Sequence, residues 1–376
     1  MSSPSSPSSR AGHPPLRTVQ VLGGGSAGSS AHVRSLAAGL AARGVRVTVC
    51  APHALESAYA FTSVGARHAH VPRSGAPVSL AALRAVCADA DLVHAHGLHA
   101  GLRAALALAG RRVPLVVTWH TRCHAEGTRA HALRLLERRV ARAATVLLAT
   151  SSDLVDRARA RGARDARLAP VALPAQPPPP ASAPVEQKVR ADVGAVERPL
   201  VLAAGSLVRH RGHGALLDAA RAWRALDPVP LLAVAGEGPL RGALQARIEA
   251  EDLPVRLLGS REDLPALLAA SDVAVLPSRW EARALFAQEA LSLGVPLVAS
   301  AVGGIPELVG DAAELVPYGD APALAARVAA LLADPGRRAE LSRAGRRQAA
   351  GWPTEDATVA QVLSVYDELT HPEPLF

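Results

Sequence analysis

The chain has 376 residues, enough for two domains that each bury a core, and 49% of them are apolar although aromatics make up only 3%. Ala, Leu, Val and Gly must therefore fill the interior, which suits helices packed closely on Val/Leu-rich parallel sheets. The formal charge of +8 rests almost wholly on arginine, with Lys188 the only lysine; without a dense basic run interleaved with aromatics it excludes a nucleic-acid partner and leaves an anionic substrate or contact with an acidic membrane surface.

Residues 1–16, MSSPSSPSSRAGHPPL, are Ser/Pro-rich where a signal peptide would be apolar, and read as a disordered tail. No apolar stretch approaches the roughly 18 residues that cross a bilayer. Cys50, Cys87 and Cys123 are widely spaced and form no C-x-x-C pair, so neither a disulfide framework nor a zinc site is indicated. The expected setting is a reducing cytoplasm, with the protein free or peripheral at the inner face of the membrane.

From Arg17 onward, short Val/Leu runs alternate with longer Ala/Leu/Arg segments at helical spacing, the pattern of repeated β-α units. Strands are predicted at 18–22, 45–50, 91–96, 114–119 and 144–150. The first of these runs into VLGGGSAGSSAHV (21–33), where Gly23, Gly25 and Gly28 spell G-x-G-x-x-G, the fingerprint of a dinucleotide-binding turn. Such a turn needs an acid about 20 residues on, at the end of the second strand. Here that strand ends Val49-Cys50-Ala51-Pro52, and the first acidic residue in the chain is Glu56, so a dehydrogenase reading fails.

Asp89-Ala90-Asp91 imitates a metal-holding D-x-D but lies at the start of a strand, the wrong end for a ligand site. His94 and His96 project from one face of that strand, with no third ligand at useful spacing. They read as core or cleft-edge residues. His120, His124 and His131 do not follow a recognised metal spacing either, so no metal is expected. The alternation stops at 173–198, a Pro-rich linker with four consecutive prolines, and restarts with strands predicted at 199–205, 230–236, 255–259, 272–277 and 296–300. The expected domains are 17–172 and 199–351, and residues 352–370 form an amphipathic closing helix on Val359, Val362, Val365 and Tyr366.

The stretch DVAVLPSRWEARALFAQEALSLGVPLVASAVGGIPELV, from Asp272 to Val309, carries the sharpest signals. Glu281 sits in a loop past a strand's carboxyl end, and Glu289 lies about two turns inside an otherwise apolar helix. A carboxylate there costs free energy unless it is paired or holds a ligand. Both could reach sugar or ribose hydroxyls over a helix N-terminus whose free amides favour phosphate. Trp280, beside Glu281, is either a packing residue or a wall of the same pocket.

With its order and spacing of AAGSLVRHRGHGALLDA, VAGEGPL, LPSRWEARALFAQEAL and ASAVGGIPELV, joined by the glycine loop, DLVHAHG and VVTWHT, the chain from about Arg17 to Leu369 resembles the family-4 retaining glycosyltransferases (glycosyltransferase group 1). The resemblance implies an α/β GT-B architecture: two Rossmann-like domains facing across a cleft, with a C-terminal helix crossing back to the first. It implies sugar transfer from a nucleotide-diphosphate sugar, with retention and without metal or cofactor, to an acceptor that is a small molecule, lipid or glycan. Glu289 would hold the donor ribose, Glu281 the transferred sugar, and Arg211, with the backbone amides of Leu285 and Phe286, the diphosphate. His120 would be the cleft histidine. Gly205 and Ser206 open the phosphate loop, and Gly28 lets the first-domain backbone approach the ligand. The pattern departs from the family at Ser206, usually arginine, and at Ala284, usually glycine. Those two positions leave open a catalytically silent protein that binds nucleotide sugars or glycans; a GT-B epimerase or phosphorylase is the other enzyme reading.

Overall fold

The computed structural model describes residues 14–23, 27–72, 76–122, 127–172 and 182–371. Its first half alternates β1 (Arg17–Leu22), α1 (Ala27–Ala42), β2 (Arg46–Ala51), α2 (His53–Tyr59), β3 (Arg67–His70), α3 (Ala76–Val86), β4 (Leu92–His96), α4 (Leu98–Ala107), β5 (Leu115–Trp119), α5 (Thr128–Ala143), β6 (Val146–Ala149), α6 (Ser152–Ala160) and β7 (Ala166–Leu168). The second half runs α7 (Ala183–Val193), β8 (Leu200–Ala204), α8 (His213–Ala222), β9 (Leu231–Ala235), α9 (Arg241–Ala250), β10 (Val255–Gly259), α10 (Leu264–Ala269), β11 (Val273–Leu276), α11 (Leu285–Leu293), β12 (Leu297–Ser300), α12 (Ile305–Val309), β13 (Glu314–Val316), α13 (Ala321–Ala333), α14 (Pro335–Ala350) and α15 (Glu355–Thr370).

Each half builds one parallel sheet, seven-stranded in the order β3-β2-β1-β4-β5-β6-β7 and six-stranded in the order β10-β9-β8-β11-β12-β13. The central strands β4, β5, β9 and β11 are buried along their whole length because helices cover both faces, which is why their sequences read as continuous apolar runs. Strand order reverses between β1 and β4 in one sheet and between β8 and β11 in the other. A parallel sheet opens a ligand crevice beyond its carboxyl edge at such a switch point.

The two carboxyl edges meet. The Trp280 indole, just past β11, donates to Asp153 Oδ2 at 2.8 Å on the first turn of α6. Glu307 of α12 accepts from Ser152 N at 3.2 Å, a carboxylate set against a helix N-terminus. Trp280 and Ala282 also join the first-domain apolar cluster that contains Trp119 and Ala149.

The closing helix crosses back as expected. Val359, Val362, Val365 and Tyr366 of α15 are buried with Leu36 and Leu40 of α1. The approach is close enough that a Cβ on Gly39 would stand 2.5 Å from Val359 Cγ2. The linker expectation needs correction in its second half. The four prolines lie outside the described residues, but Ala183–Val193 is helix α7, with Val193 and Ala195 packed in the second-domain core. Pro184 occupies its first turn, where a missing N–H breaks no helical bond.

Candidate active site

Past β8, a short 3-10 turn (Arg209–Arg211) ends at Gly212, whose φ is +74° and where a Cβ would stand 1.9 Å from Pro277 O. The β8 and β11 loops are thus pressed together at the backbone. The β11 loop is gripped from the other side as well: Gly304 N donates to Glu281 O at 2.9 Å, and Gly303, at φ +55°, leaves no room for a Cβ, which would stand 2.1 Å from that oxygen. These glycines fix the height of Glu281, the residue between Trp280 and Ala282 that carries a charge. Its Oε1 pairs with Arg211 Nη1, the two side chains being 13% and 30% exposed. Burial pushes the Glu281 carboxyl above the ordinary range, and the Arg211 guanidinium pulls it back.

The pairing does not exhaust Arg211, whose buried Nε has no hydrogen-bond partner among the described residues. Next to it, His213 Nε2 bonds the carbonyl of exposed Ser206 at 3.1 Å and leaves buried Nδ1 likewise unpartnered. Helix α11 begins at exposed Leu285 and buried Phe286, whose amides are among the first-turn N–H groups that a helix cannot satisfy. Glu289 follows one turn later, partly buried, with no hydrogen bond or ion pair among the described residues and a carboxyl raised by burial. Ala284, which caps this helix, has φ −59° and is buried. An alanine adopts that conformation without strain, so replacing the usual glycine distorts nothing here.

On the first domain, Gly28 lies in the first turn of α1 and is exposed, while Gly24 and Gly25 fall outside the described residues, as do Cys123 and His124. His120 follows β5 directly. It does not stand alone: His96 Nδ1 lies 3.2 Å from His120 Nε2, and the His32 ring of α1 is 5.3 Å away, centroid to centroid. Behind them, His96 Nε2 meets Gln20 Oε1 at 3.0 Å, Gln20 Nε2 donates to the Tyr366 hydroxyl at 2.9 Å, and that hydroxyl lies 2.7 Å from His94 Nδ1. His94 Nε2 ends the line on Thr118 Oγ1 at 2.6 Å. Burial lowers the His32 pKa to about 4 and that of His94 to about 3, and holds His96 and His120 well below the ordinary range. All four imidazoles are therefore neutral at pH 7.

The spacing argument found no third imidazole for His96; the fold supplies two, from α1 and from the end of β5. Ligand-type nitrogens of His32, His96 and His120 lie within 4.8 Å of one another. Those of His96 and His120 address each other rather than a common point, which suits a hydrogen bond better than a shared ion. His94 and His96 are buried, in keeping with the expected core or cleft-edge role. Gln20, His32 and Tyr366 went unread as site residues. The signals they carried were a polar residue inside the apolar run TVQVL, and a lone tyrosine in an aliphatic helix face.

Two surface hollows lie elsewhere. One is lined by Leu108, Arg111, Thr145 and Leu369, the other by Arg34, Ser35, Tyr59 and Glu355. Neither is lined by Arg211, His213 or Glu289.

The family model described as "Glycosyl transferase 4-like domain" matches residues 27–174, and "Glycosyl transferases group 1" matches residues 185–348. A D-inositol 3-phosphate glycosyltransferase of Xylanimonas cellulosilytica is 30% identical across 93% of this chain and 94% of its own length. The chain belongs to the group 1 glycosyltransferases. A GDP-mannose-dependent alpha-(1-6)-phosphatidylinositol monomannoside mannosyltransferase of Mycolicibacterium smegmatis is 33% identical over 47% of this glycosyltransferase, a match that spans half of the relative's length. The fold is that of GT-B enzymes. Anabaena Alr3699/HepE, solved in complex with UDP-glucose, superposes with a TM-score of 0.80 at 21% identity, over 93% of this chain and all of that one. No helix among the described residues is long and apolar enough to cross a membrane.

Proposed function

We propose that this glycosyltransferase moves a sugar from a nucleoside-diphosphate sugar to an acceptor hydroxyl with retention of configuration and without a metal ion. The observation that carries the reading is the set of groups on the second domain left unsatisfied among the described residues: Glu289 without a partner, Arg211 Nε without an acceptor, and the open first turn of α11. Each matches one part of such a donor. A carboxylate accepts from the two ribose hydroxyls, while a guanidinium fork and helix amides hold a diphosphate. Arg211 has donors to spare, so it can keep Glu281 in place while its remaining N–H groups neutralise the leaving group. Glu281, fixed by the glycine clamp, accepts from hydroxyls of the transferred sugar, and His120 approaches from the first domain.

In the retaining step the acceptor attacks on the face from which the diphosphate leaves, and a diphosphate oxygen takes the acceptor proton. The glycosidic bond to the leaving oxygen breaks as the new one forms. No protein nucleophile is required, and the work of the site is positioning together with stabilisation of the departing charge. The GDP-mannose-dependent relative supports a nucleotide sugar as donor, and the protein of like fold that was solved with UDP-glucose agrees with it.

The test is a thermal-shift and calorimetric screen of UDP, GDP, ADP and their sugar conjugates, followed by NMR of the products of donor hydrolysis and transfer. Tight binding of one nucleotide and a product of unchanged anomeric configuration are expected, with no loss on adding EDTA. Absence of binding to every nucleotide overturns the reading. Binding without turnover across broad acceptor pools replaces it with a nucleotide-sugar sensor.

A further inference from the structure

The polar line behind His120 is buried and uncharged, and with the Gln20 amide placed with Nε2 towards Tyr366 and Oε1 towards His96 the hydrogen of each group follows from the next. Gln20 Nε2 donates to the Tyr366 hydroxyl and Gln20 Oε1 can only accept, so His96 Nε2 carries a hydrogen. His96 Nδ1 is then a bare acceptor, and its 3.2 Å contact needs the hydrogen on His120 Nε2. In the other direction, the Tyr366 hydroxyl, having accepted from Gln20, donates to His94 Nδ1, and His94 Nε2 donates to Thr118 Oγ1. Turning the Gln20 amide over would reverse every one of these hydrogens. The amide is tied at both ends, by the first-domain sheet and by the crossing helix, and its closest tie to the helix spans 346 positions of sequence.

We infer that Gln20 and Tyr366 are positioning residues which, through His96, hold His120 as its Nε2–H tautomer with Nδ1 as the unprotonated nitrogen. The inference rests on the reading above in one respect, that His120 contacts the donor sugar. An Nδ1 lone pair accepts from a sugar hydroxyl, whereas the opposite tautomer would offer an N–H there and leave that hydroxyl competing for the wrong hand. Because the imidazoles stay neutral, what the network selects is a tautomer and a ring orientation, not a charge.

The test uses the full chain labelled with ¹⁵N-histidine, the His120 signals being assigned from their loss in His120→Asn. Two-bond ¹H–¹⁵N spectra should show one tautomer for His120, with the hydrogen on Nε2. Tyr366→Phe frees the amide to turn and should give a mixture of tautomers. Gln20→Leu removes the amide and should do the same. Gln20→Glu keeps an acceptor facing His96 and should restore the single form. In parallel, hydrolysis of UDP-glucose and GDP-mannose is measured. Tyr366→Phe should lower kcat roughly ten- to hundredfold with little change in donor KM, the scale of a small misplacement at a reacting centre. In a His120→Ala background the same change should cost nothing further, because a residue that acts through His120 has nothing left to act on. An unchanged His120 tautomer in both Tyr366→Phe and Gln20→Leu overturns the inference, as does an equal loss of kcat with and without His120. If His120→Ala hydrolyses donor as well as the parent does, it is the proposed role of His120 that fails, and the spectra still decide whether the network sets its tautomer.

Discussion

Replacing Glu289 with Gln should make the free protein more stable and its donor binding weaker, a pair of opposite signs that a structural carboxylate would not give. The side chain is partly buried in α11 with no partner among the described residues. Burying an unpaired charge costs more than burying an unpaired neutral amide, and at this partial exposure the exchange relieves about 1 kcal/mol. Relief of that cost corresponds to a rise in Tm of about 2–4 °C for a domain of this size. Hydrogen bonds to a charged acceptor are worth about 1.5–3 kcal/mol, so losing the carboxylate weakens nucleotide binding roughly ten- to hundredfold. The stability gain also depends on pH. Burial raises the Glu289 pKa, so the folded state holds its proton more tightly than the unfolded chain. Stability is therefore lost as pH rises from the unfolded value, about 4.3, through the folded one. The amide does not titrate, so the advantage of the variant vanishes below about pH 4 and is complete above the folded pKa. Calorimetric melting at pH 4 and pH 7.5, with titration of UDP and GDP at the higher pH, reads both effects. A variant that melts earlier at pH 7.5 and binds both nucleotides as the parent does would refute the assignment of this carboxylate to a ligand.

Arg211→Lys keeps a cation for the diphosphate but loses the planar fork, and should lower kcat/KM for donor hydrolysis about tenfold, against at least about a hundredfold for Arg211→Ala. Equal losses would show that geometry, not charge, is what Arg211 supplies. Gly39→Ala drives a Cβ against Val359 across the α1–α15 contact and should cost about 1–3 kcal/mol in urea denaturation. Val359→Ala in the same chain should recover most of that loss, and strictly additive effects would mean the helices do not meet there.

Long apolar runs were legible because buried parallel strands leave no face to water. β4, β5, β9 and β11 fall where their sequences predicted, within a residue or two. β3, β7 and β13 passed unread because they are short edge strands, part-exposed along most of their length; RHAH (67–70) has no apolar run to report. Helix α7 was hidden by the prolines before it. The second-domain candidates could be named from sequence because Glu281 and Glu289 keep a fixed spacing on one loop and helix, and Arg211, which pairs with Glu281, sits in a basic stretch of its own. The first-domain network was not. Gln20, His32, His96, His120 and Tyr366 come from one strand interior, two strand ends and two helices, and only the stacking order of β1 beside β4 and β5, with α15 laid across, makes neighbours of them.

Tyr366 also changes what counts as the first domain. Its hydroxyl satisfies both Gln20 and His94, and its helix covers Leu36 and Leu40. A fragment ending before α7 would carry two orphaned polar groups and an uncovered apolar face, because the N-terminal half is completed by a helix from the other end of the chain. The first domain is thus discontinuous in sequence, closed by a helix that lies beyond the whole of the second.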